Sequence, residues 1–243
     1  MTRHRTLTGL MAALAIPILL AACSSGGAAS AIPSIPPATP TPAATEVPAS
    51  NDVTSSGYPE GCPAAQPDPL PAGETRTVTI TTDKGDIAIK ISADLSPIAT
   101  GNFVALAECG YYTGVVFHRL VPGFVIQGGD GQFGRVPNVT GDAGMGGPPY
   151  TIKDEKVTAT YKRGTVAMAR TSAPDSVGSQ FFIVLDAAAA DALASYNTYQ
   201  IIGEVTTGMD TVDTIAAMPN SGQDTGNAAL EPLPMTRVTV ANP

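Results

Sequence analysis

From Thr75 onward, apolar and polar residues alternate in short runs that predict β-strands. Apolar residues occupy every second position from Val78 to Ile80 and from Ile87 to Ile91, and Asp83-Lys84-Gly85 lies between the two runs. This pattern predicts a β-hairpin. Similar runs predict further strands on both sides of Pro122-Gly123 and at 165–169, 180–185, 200–205 and 237–240.

Two stretches have a helical pattern instead. The first follows Ser96-Pro97, which suits an N-cap and a first helical position, and Gly110 should end it. The second covers 209–217, and a short Ala-rich segment covers 186–194. Residues 131–163 are rich in Gly and Pro and should form a long surface loop. Many short strands with two helices favour an antiparallel barrel over a parallel sheet, although periodicity alone does not separate a barrel from a sandwich.

The N-terminus has the pattern of an export signal. Arg3 and Arg5 precede an apolar run from Leu7 to Ala22, which is shorter than the about 20 residues that a membrane-spanning helix needs. The run ends in Leu20-Ala21-Ala22-Cys23, which resembles a bacterial lipobox. The resemblance implies that 1–22 is a lipoprotein signal peptide and that Cys23 carries palmitate and other acyl chains. The alternative is an ordinary signal peptide with a coincidental cysteine.

Residues 23–74 have the composition of a tether. They hold half of the chain's 22 prolines, and neither Lys, Arg nor His occurs among them. Such a segment buries too little apolar surface to offset its ordering entropy, so we expect disorder. The sequence therefore predicts a folded domain at 75–243, exported and lipid-anchored to the extracytoplasmic face of a bacterial membrane.

Charge and composition exclude several classes of function. The formal net charge is −8 and no basic patch is present, which argues against a nucleic-acid partner. After the signal, His118 is the only histidine, so neither a metal site nor Ser-His-Asp catalysis is supported, and a structural role for His118 is favoured. The Gly-x-Gly-x-x-Gly match at 129–134 precedes Pro137 rather than a helix, so it predicts a loop and no dinucleotide site.

The two remaining cysteines, Cys62 and Cys109, suit an oxidising compartment. A disulfide between them would fasten the end of the tether to the first helix of the domain. The alternative is a pair of free thiols.

Two motifs carry the chemistry of the chain. The first is Phe-His-Arg-Leu-Val-Pro-Gly-Phe-Val-Ile-Gln-Gly-Gly-Asp at 117–130, and the second is Gly-Ser-Gln-Phe-Phe-Ile at 178–183. Together they resemble the signature of the cyclophilin family of peptidyl-prolyl cis/trans isomerases, from about Thr75 to the C-terminus. The resemblance implies a mainly β fold, a closed eight-stranded antiparallel barrel capped by two helices. It also implies a monomer that needs no cofactor and acts on proline-containing polypeptides.

The resemblance also assigns roles to single residues. Arg119 matches the family's principal catalytic residue, with Gln127 and Phe124 beside it. The substrate-binding positions comprise apolar pocket residues, a glutamine of the groove, a backbone segment, and two positions where other family members often carry tryptophan or histidine. They are Val125, Phe182, Gln180, Ala169, Arg170, Leu193 and Tyr199. Arg170 stands where an asparagine is frequent, and its backbone would still pair with substrate.

Two other functions fit parts of this pattern. One is a non-catalytic module on the membrane surface that binds or chaperones proline-containing segments, and the other is a passive surface lipoprotein. Simple binding does not require an arginine placed as Arg119 is. The sequence therefore favours an isomerase.

The lipobox makes a testable prediction. Cys23→Ser should release the protein from the membrane fraction or leave its leader uncleaved, because the residue that receives the acyl chains is gone. Fractionation and intact-mass measurement of wild type and variant check this. A variant that stays membrane-bound with a cleaved leader would contradict lipidation at Cys23.

Overall fold

The fold is described by a computed structural model that covers residues 58–242. It is mainly β, as predicted. Strands β1–β9 comprise Thr75–Thr82, Gly85–Ser92, Val116–Val121, Val125–Gly128, Thr165–Met168, Phe181–Val184, Ile201–Thr207, Ala228–Pro234 and Arg237–Ala241. Helices α1–α3 comprise Pro97–Glu108, Ala187–Tyr196 and Met209–Ala216. The predicted signal peptide, Cys23 and most of the predicted tether lie outside the described residues.

The nine strands form one antiparallel sheet in the order β8-β3-β4-β6-β5-β7-β2-β1-β9. The sheet is open and strongly curled, so the predicted closed eight-stranded barrel with two helices is wrong in closure, strand count and helix count. The two edge strands, β8 and β9, are consecutive in the chain but pair with β3 and β1 respectively. Pro232 and Pro234 of β8 have no N–H to donate to a further strand.

The sheet buries both faces of its central strands, β3 to β6. On one face, side chains of most strands pack with α1 and α3 into the main core, which includes Phe117, Leu120, Ile126, Phe181 and Ile183. On the other face, alternate residues of the central strands pack with α2 into a second apolar cluster. We call this the outer cluster; it contains Val121, Phe124, Val125, Val157, Tyr161, Ala167, Phe182, Val184, Ala189, Ala190, Leu193 and Ile201.

Helix α1 begins at the predicted residue but is capped differently. The Ser96 side chain makes no capping hydrogen bond. The Glu155 carboxylate instead accepts hydrogen bonds from Ile98 N and Ala99 N, both at 2.9 Å. Two of the N–H groups that a helix start leaves without an intrahelical partner are thus satisfied by a residue from the predicted surface loop.

The long segment 131–163 has little regular structure, as predicted, but it is more than a surface loop. Ile152, Val157 and Tyr161 are buried, and they contribute to both apolar clusters. The missed helix α2 begins with an N-cap, since the Asp186 carboxylate accepts a hydrogen bond from Ala189 N at 2.8 Å. An Asp before a run of alanines is a signal that could have predicted it.

Residues 58–74 pack against the domain, so the folded part of the chain includes more than 75–243. Leu70 is buried, and its N–H donates to Pro97 O at 3.0 Å. The segment passes so close to α1 that a Cβ at Gly101 would lie 2.3 Å from Asp68 O. A disulfide joins Cys62 to Cys109 at the end of α1, with a Cα–Cα distance of 5.1 Å. Within 58–242, no helix is long and apolar enough to cross a membrane.

The disulfide should contribute strongly to stability. It closes a loop with a sequence separation of 47 residues, and the chain-entropy model assigns about 4 kcal/mol to a loop of this size. The variant Cys62→Ala/Cys109→Ala should lose free energy of unfolding on that scale in urea denaturation. Reduced wild type serves as the control and should unfold like the variant. Equal stability of oxidised wild type and variant would contradict the prediction.

Candidate active site

A β-bulge in β3 determines which way Arg119 points. Phe117 pairs with Gly128 and Arg119 pairs with Gln127 of β4, so β3 carries one extra residue, His118. Without the bulge, Phe117 and Arg119 would share a face, because side chains alternate along a strand. With it, Phe117 and Leu120 enter the main core, while Val121 joins the outer cluster. Arg119 lies on the side of Val121.

Three predicted site residues form a chain of hydrogen bonds. Arg119 Nη1 donates to Gln127 Oε1 at 3.3 Å, and Gln127 Nε2 donates to Gln180 Oε1 at 3.0 Å. Arg119 Nε also donates to Gly226 O at 3.1 Å. The guanidinium is therefore held from two sides, and two of its five N–H groups are engaged by the residues described.

The predicted apolar residues lie together beside this chain. Phe124, Val125 and Phe182 belong to the outer cluster, and Tyr199 packs edge-on against Phe182 with ring centroids 5.3 Å apart. Leu193 is in the same cluster but has 0% exposure. It therefore supports the apolar surface from below, rather than standing at the pocket edge as expected for the residue that replaces a tryptophan.

Ala169 and Arg170 follow β5 directly. Ala169 is half-buried against the outer cluster, and its N–H donates to Gln180 O at 2.8 Å. The Arg170 side chain turns away to form a salt bridge with Asp154 at 3.0 Å and to donate to Ala173 O at 2.8 Å. Its guanidinium thus braces the following loop, and only its backbone is left for the predicted pairing.

The site is electrostatically unusual because a cation is placed against apolar side chains. Burial lowers the pKa of the Arg119 guanidinium below its ordinary, very high value, and nearby Tyr199 opposes the shift. Burial likewise raises the pKa of Tyr199, while Arg119 and Arg170 lower it. A guanidinium that starts from so high a value remains charged at neutral pH, so Arg119 presents a partly desolvated positive charge.

Several groups at this site were not predicted from the sequence. Gln180 Nε2 donates to Gly144 O at 2.9 Å and to Gly146 O at 2.8 Å. Tyr161 fixes Tyr199 by donating to its carbonyl at 2.8 Å and accepting from its N–H at 3.1 Å. Main-chain acceptors such as those of Gly144 and Gly146 leave no residue-type signal, although a buried tyrosine suggests a hydrogen-bonding partner.

His118 is not placed as a proton-transfer group. It is buried, and neither ring nitrogen has a hydrogen-bond partner in the described part of the chain. Burial lowers its pKa from 6.5 to about 4, with Asp130 opposing and Arg119 adding to the shift. No helix begins in 129–134, in agreement with the loop predicted there.

No group of three or more His, Cys, Asp or Glu side chains within 58–242 could hold a metal ion. An exposed cleft of about 370 Å³ lies elsewhere and includes none of the predicted site residues; it is lined by Pro122, Gly123, Arg163, Leu185, Asp186, Asp213, Ala216 and Ala217.

Comparison with known proteins identifies this arrangement. The model of the family described as cyclophilin type peptidyl-prolyl cis-trans isomerase/CLD matches residues 77–240. The chain belongs to this cyclophilin family. The match spans both motifs and every site residue named above, so the resemblance seen in the sequence is confirmed.

Individual relatives agree with the family. The chain is 37% identical over 163 residues to a probable peptidyl-prolyl cis-trans isomerase of Brucella abortus (strain 2308), covering 66% of this chain and 79% of the relative. It is 38% identical over 146 residues to a peptidyl-prolyl cis-trans isomerase of Acinetobacter baylyi, covering 59% and 73%. The cyclophilin is accordingly an enzyme of the peptidyl-prolyl cis-trans isomerase class.

Solved structures show the same fold. A cyclophilin type peptidyl-prolyl cis-trans isomerase of Cryptosporidium parvum superposes with a TM-score of 0.58 at 28% identity, over 70% of this chain and 99% of that one. A second structure of that protein, in the presence of the dipeptide Ala-Pro, gives a TM-score of 0.55 at 29% identity, over 69% and 99%.

The buried histidine predicts a pH dependence of stability. The folded state resists protonating His118 down to about pH 4, whereas the unfolded chain binds that proton below its ordinary pKa of 6.5. Stability is therefore lost as the pH falls from 6.5 towards 4, by roughly 2.5 kcal/mol at about pH 4.5. His118→Leu should lose correspondingly less between pH 7 and pH 4.5 in urea denaturation. Parallel losses in variant and wild type would show that His118 does not titrate in this way.

Proposed function

We propose that this cyclophilin accelerates rotation about X-Pro bonds of exported proteins, with Arg119 as the electrostatic catalyst. The observation that carries the proposal is the guanidinium held by Gly226 O at 3.1 Å and Gln127 Oε1 at 3.3 Å beside the outer cluster. It assists the folding of its substrates, since an X-Pro bond in the wrong isomer delays folding.

The reaction needs no nucleophile and no proton transfer. Resonance keeps the X-Pro bond planar, and the barrier to rotation is about 18–20 kcal/mol. No covalent bond breaks during rotation. As the amide twists, the prolyl nitrogen regains its lone pair and can accept a hydrogen bond. A donor directed at that nitrogen stabilises the twisted state more than the planar one, which is the requirement for catalysis.

Arg119 suits this role because its charge is already in place. A cationic donor held in a partly desolvated site interacts more strongly with developing charge than one in water, and it needs no reorganisation as the reaction proceeds. Each tenfold acceleration requires about 1.4 kcal/mol. Of the five N–H groups, Nε and one on Nη1 are engaged by Gly226 and Gln127 among the described residues, and the rest are available to substrate.

The apolar residues supply the other half of the site. Phe124, Val125, Phe182 and Tyr199 form the surface against which the pyrrolidine ring of proline packs. The backbone of Ala169 and Arg170 pairs with the substrate main chain. The Cryptosporidium parvum structure in the presence of Ala-Pro supports a proline-containing ligand for this fold.

The substrates are exported polypeptides because the chain is anchored outside the cytoplasm. Arg3, Arg5, the apolar run and Cys23 form the lipoprotein-type signal. The disulfide between Cys62 and Cys109 supports an oxidising compartment. Acyl chains on Cys23 would hold a monomeric enzyme at the membrane surface, where proteins arrive unfolded after translocation.

The arginine mechanism is tested by two substitutions at one position. Arg119→Ala should lower kcat/KM in a protease-coupled isomerisation assay by two decades or more, because the donor is lost. Arg119→Lys keeps the charge but not the planar fork, so it should recover only part of the activity. Melting temperatures of all three proteins serve as the control. If Arg119→Ala retains more than about a third of wild-type activity, the electrostatic role is wrong.

A further inference from the structure

We propose that Asp130 is a positioning residue of this site, one that sets the orientation of Gln180 and, through it, that of Gln127 and Arg119. The inference rests on the proposed function of Arg119. Asp130 lies in the Gly-x-Gly-x-x-Gly match at 129–134, a loop in which no helix begins.

The Asp130 carboxylate holds two parts of the loop together. Its Oδ1 accepts hydrogen bonds from Gln132 N at 2.9 Å and Phe133 N at 3.0 Å. Its Oδ2 accepts from Gly144 N at 2.7 Å and Gly146 N at 2.9 Å. The residue is fully buried and forms no salt bridge within 58–242. Four main-chain dipoles therefore satisfy a charge that would otherwise be costly to bury.

The loop is shaped for this contact. A Cβ at position 146 would lie 2.8 Å from Asp130 Oδ1, so the main chain approaches the carboxylate as closely as only glycine permits. Gly144 has φ +105°, and a Cβ there would lie 3.1 Å from the His118 ring. The two glycines thus fit between Asp130 on one side and the rest of the site on the other.

The same two glycines hold Gln180. Their N–H groups point to Asp130, and their carbonyls accept both hydrogen bonds of Gln180 Nε2, at 2.9 and 2.8 Å. A Gln180 amide rotated by 180° would place its oxygen against two carbonyl oxygens. The amide nitrogen is therefore fixed towards the loop and the Oε1 atom towards Gln127.

The orientation of the Gln180 amide determines the direction of the next two hydrogen bonds. Gln180 Oε1 can only accept, so Gln127 must present its Nε2, at 3.0 Å. The remaining Oε1 of Gln127 then faces Arg119 and accepts from its Nη1 at 3.3 Å. The buried Asp130 carboxylate, which can only accept hydrogen bonds, therefore sets the orientation of Gln180, then that of Gln127, and finally that of the Arg119 guanidinium.

A double-mutant cycle on the full chain tests the route through Gln180. Asp130→Asn leaves one acceptor oxygen and turns an NH₂ group towards main-chain N–H donors, so kcat/KM should fall about tenfold, with the loss in kcat rather than KM. In the Gln180→Ala background the same substitution should change kcat/KM by less than twofold, because the link is already broken. Equal losses in both backgrounds, or a loss below twofold in the wild-type background, would overturn the proposal.

Glu155→Gln is the matched control. Glu155 is also a carboxylate that accepts two main-chain hydrogen bonds, but it holds α1 and has no hydrogen bond to the Gln180 chain. This variant should lower the melting temperature and leave kcat/KM within twofold of wild type. A tenfold loss here would mean that kcat/KM reports general destabilisation, and the assignment to Asp130 would fall.

Asp130→Ser covers the case in which the asparagine variant does not fold. Serine can still accept from Gln132 N or Phe133 N but is too short to reach Gly144 and Gly146. NMR supplies a readout that does not depend on turnover: the Nε2 protons of Gln180 should exchange slowly with water in wild type and at least tenfold faster in Asp130→Ser. Rapid exchange in wild type, or equal exchange in both, would refute the positioning role. If Arg119→Ala is fully active while the exchange rates differ as expected, it is the proposed function that fails.

Discussion

A strand can direct its side chains to only two faces, and both faces of β3 are buried. The position of Arg119 therefore depends on the extra residue at His118. The register of β3 shifts at the same point against both of its neighbours, β4 and β8. Without that shift Arg119 would follow Phe117 into the main core, where a charge without a partner is unfavourable by several kcal/mol. The bulge instead places Arg119 where Gly226 O and Gln127 Oε1 accept hydrogen bonds from its guanidinium.

Much of the secondary structure is predictable because it depends on local patterns. The alternation around Asp83-Lys84-Gly85, the start of α1 at Pro97 and the strands around Pro122-Gly123 all appear in the fold. The N-cap of α1 could not be predicted in the same way. Its acceptor, Glu155, is 57 residues away from Ile98 in sequence, and no local rule connects the two. Closure of the sheet also escaped prediction, because it depends on which strands β8 and β9 pair with, and local alternation does not specify those partners, β3 and β1.

The candidate site, like the secondary structure, could be predicted from the sequence only in part. The family motifs predict the site residues Arg119, Gln127, Gln180, Phe124 and Phe182, and the fold brings all five to one face of the sheet. What orients the three polar residues was not predictable, because the groups involved are main-chain carbonyls and N–H groups that every residue type possesses. Composition also misled the boundary of the domain. A proline-rich composition predicts disorder, but a disulfide and a buried leucine hold residues 58–74 against the domain.

The disulfide between Cys62 and Cys109 determines where the domain would bear mechanical load. A pull transmitted from the N-terminal side of Tyr58 first meets Cys62, which is bonded covalently to the end of α1. The force then crosses to Cys109 and continues into the chain at Gly110, so the whole disulfide loop, with β1, β2 and α1, is bypassed. Strands that peel apart one hydrogen bond at a time are weak in that direction, so the disulfide protects β1 and β2 from a pull at this end. A pull on the segment before Cys62 would therefore leave the pairing of β1 with β2 intact.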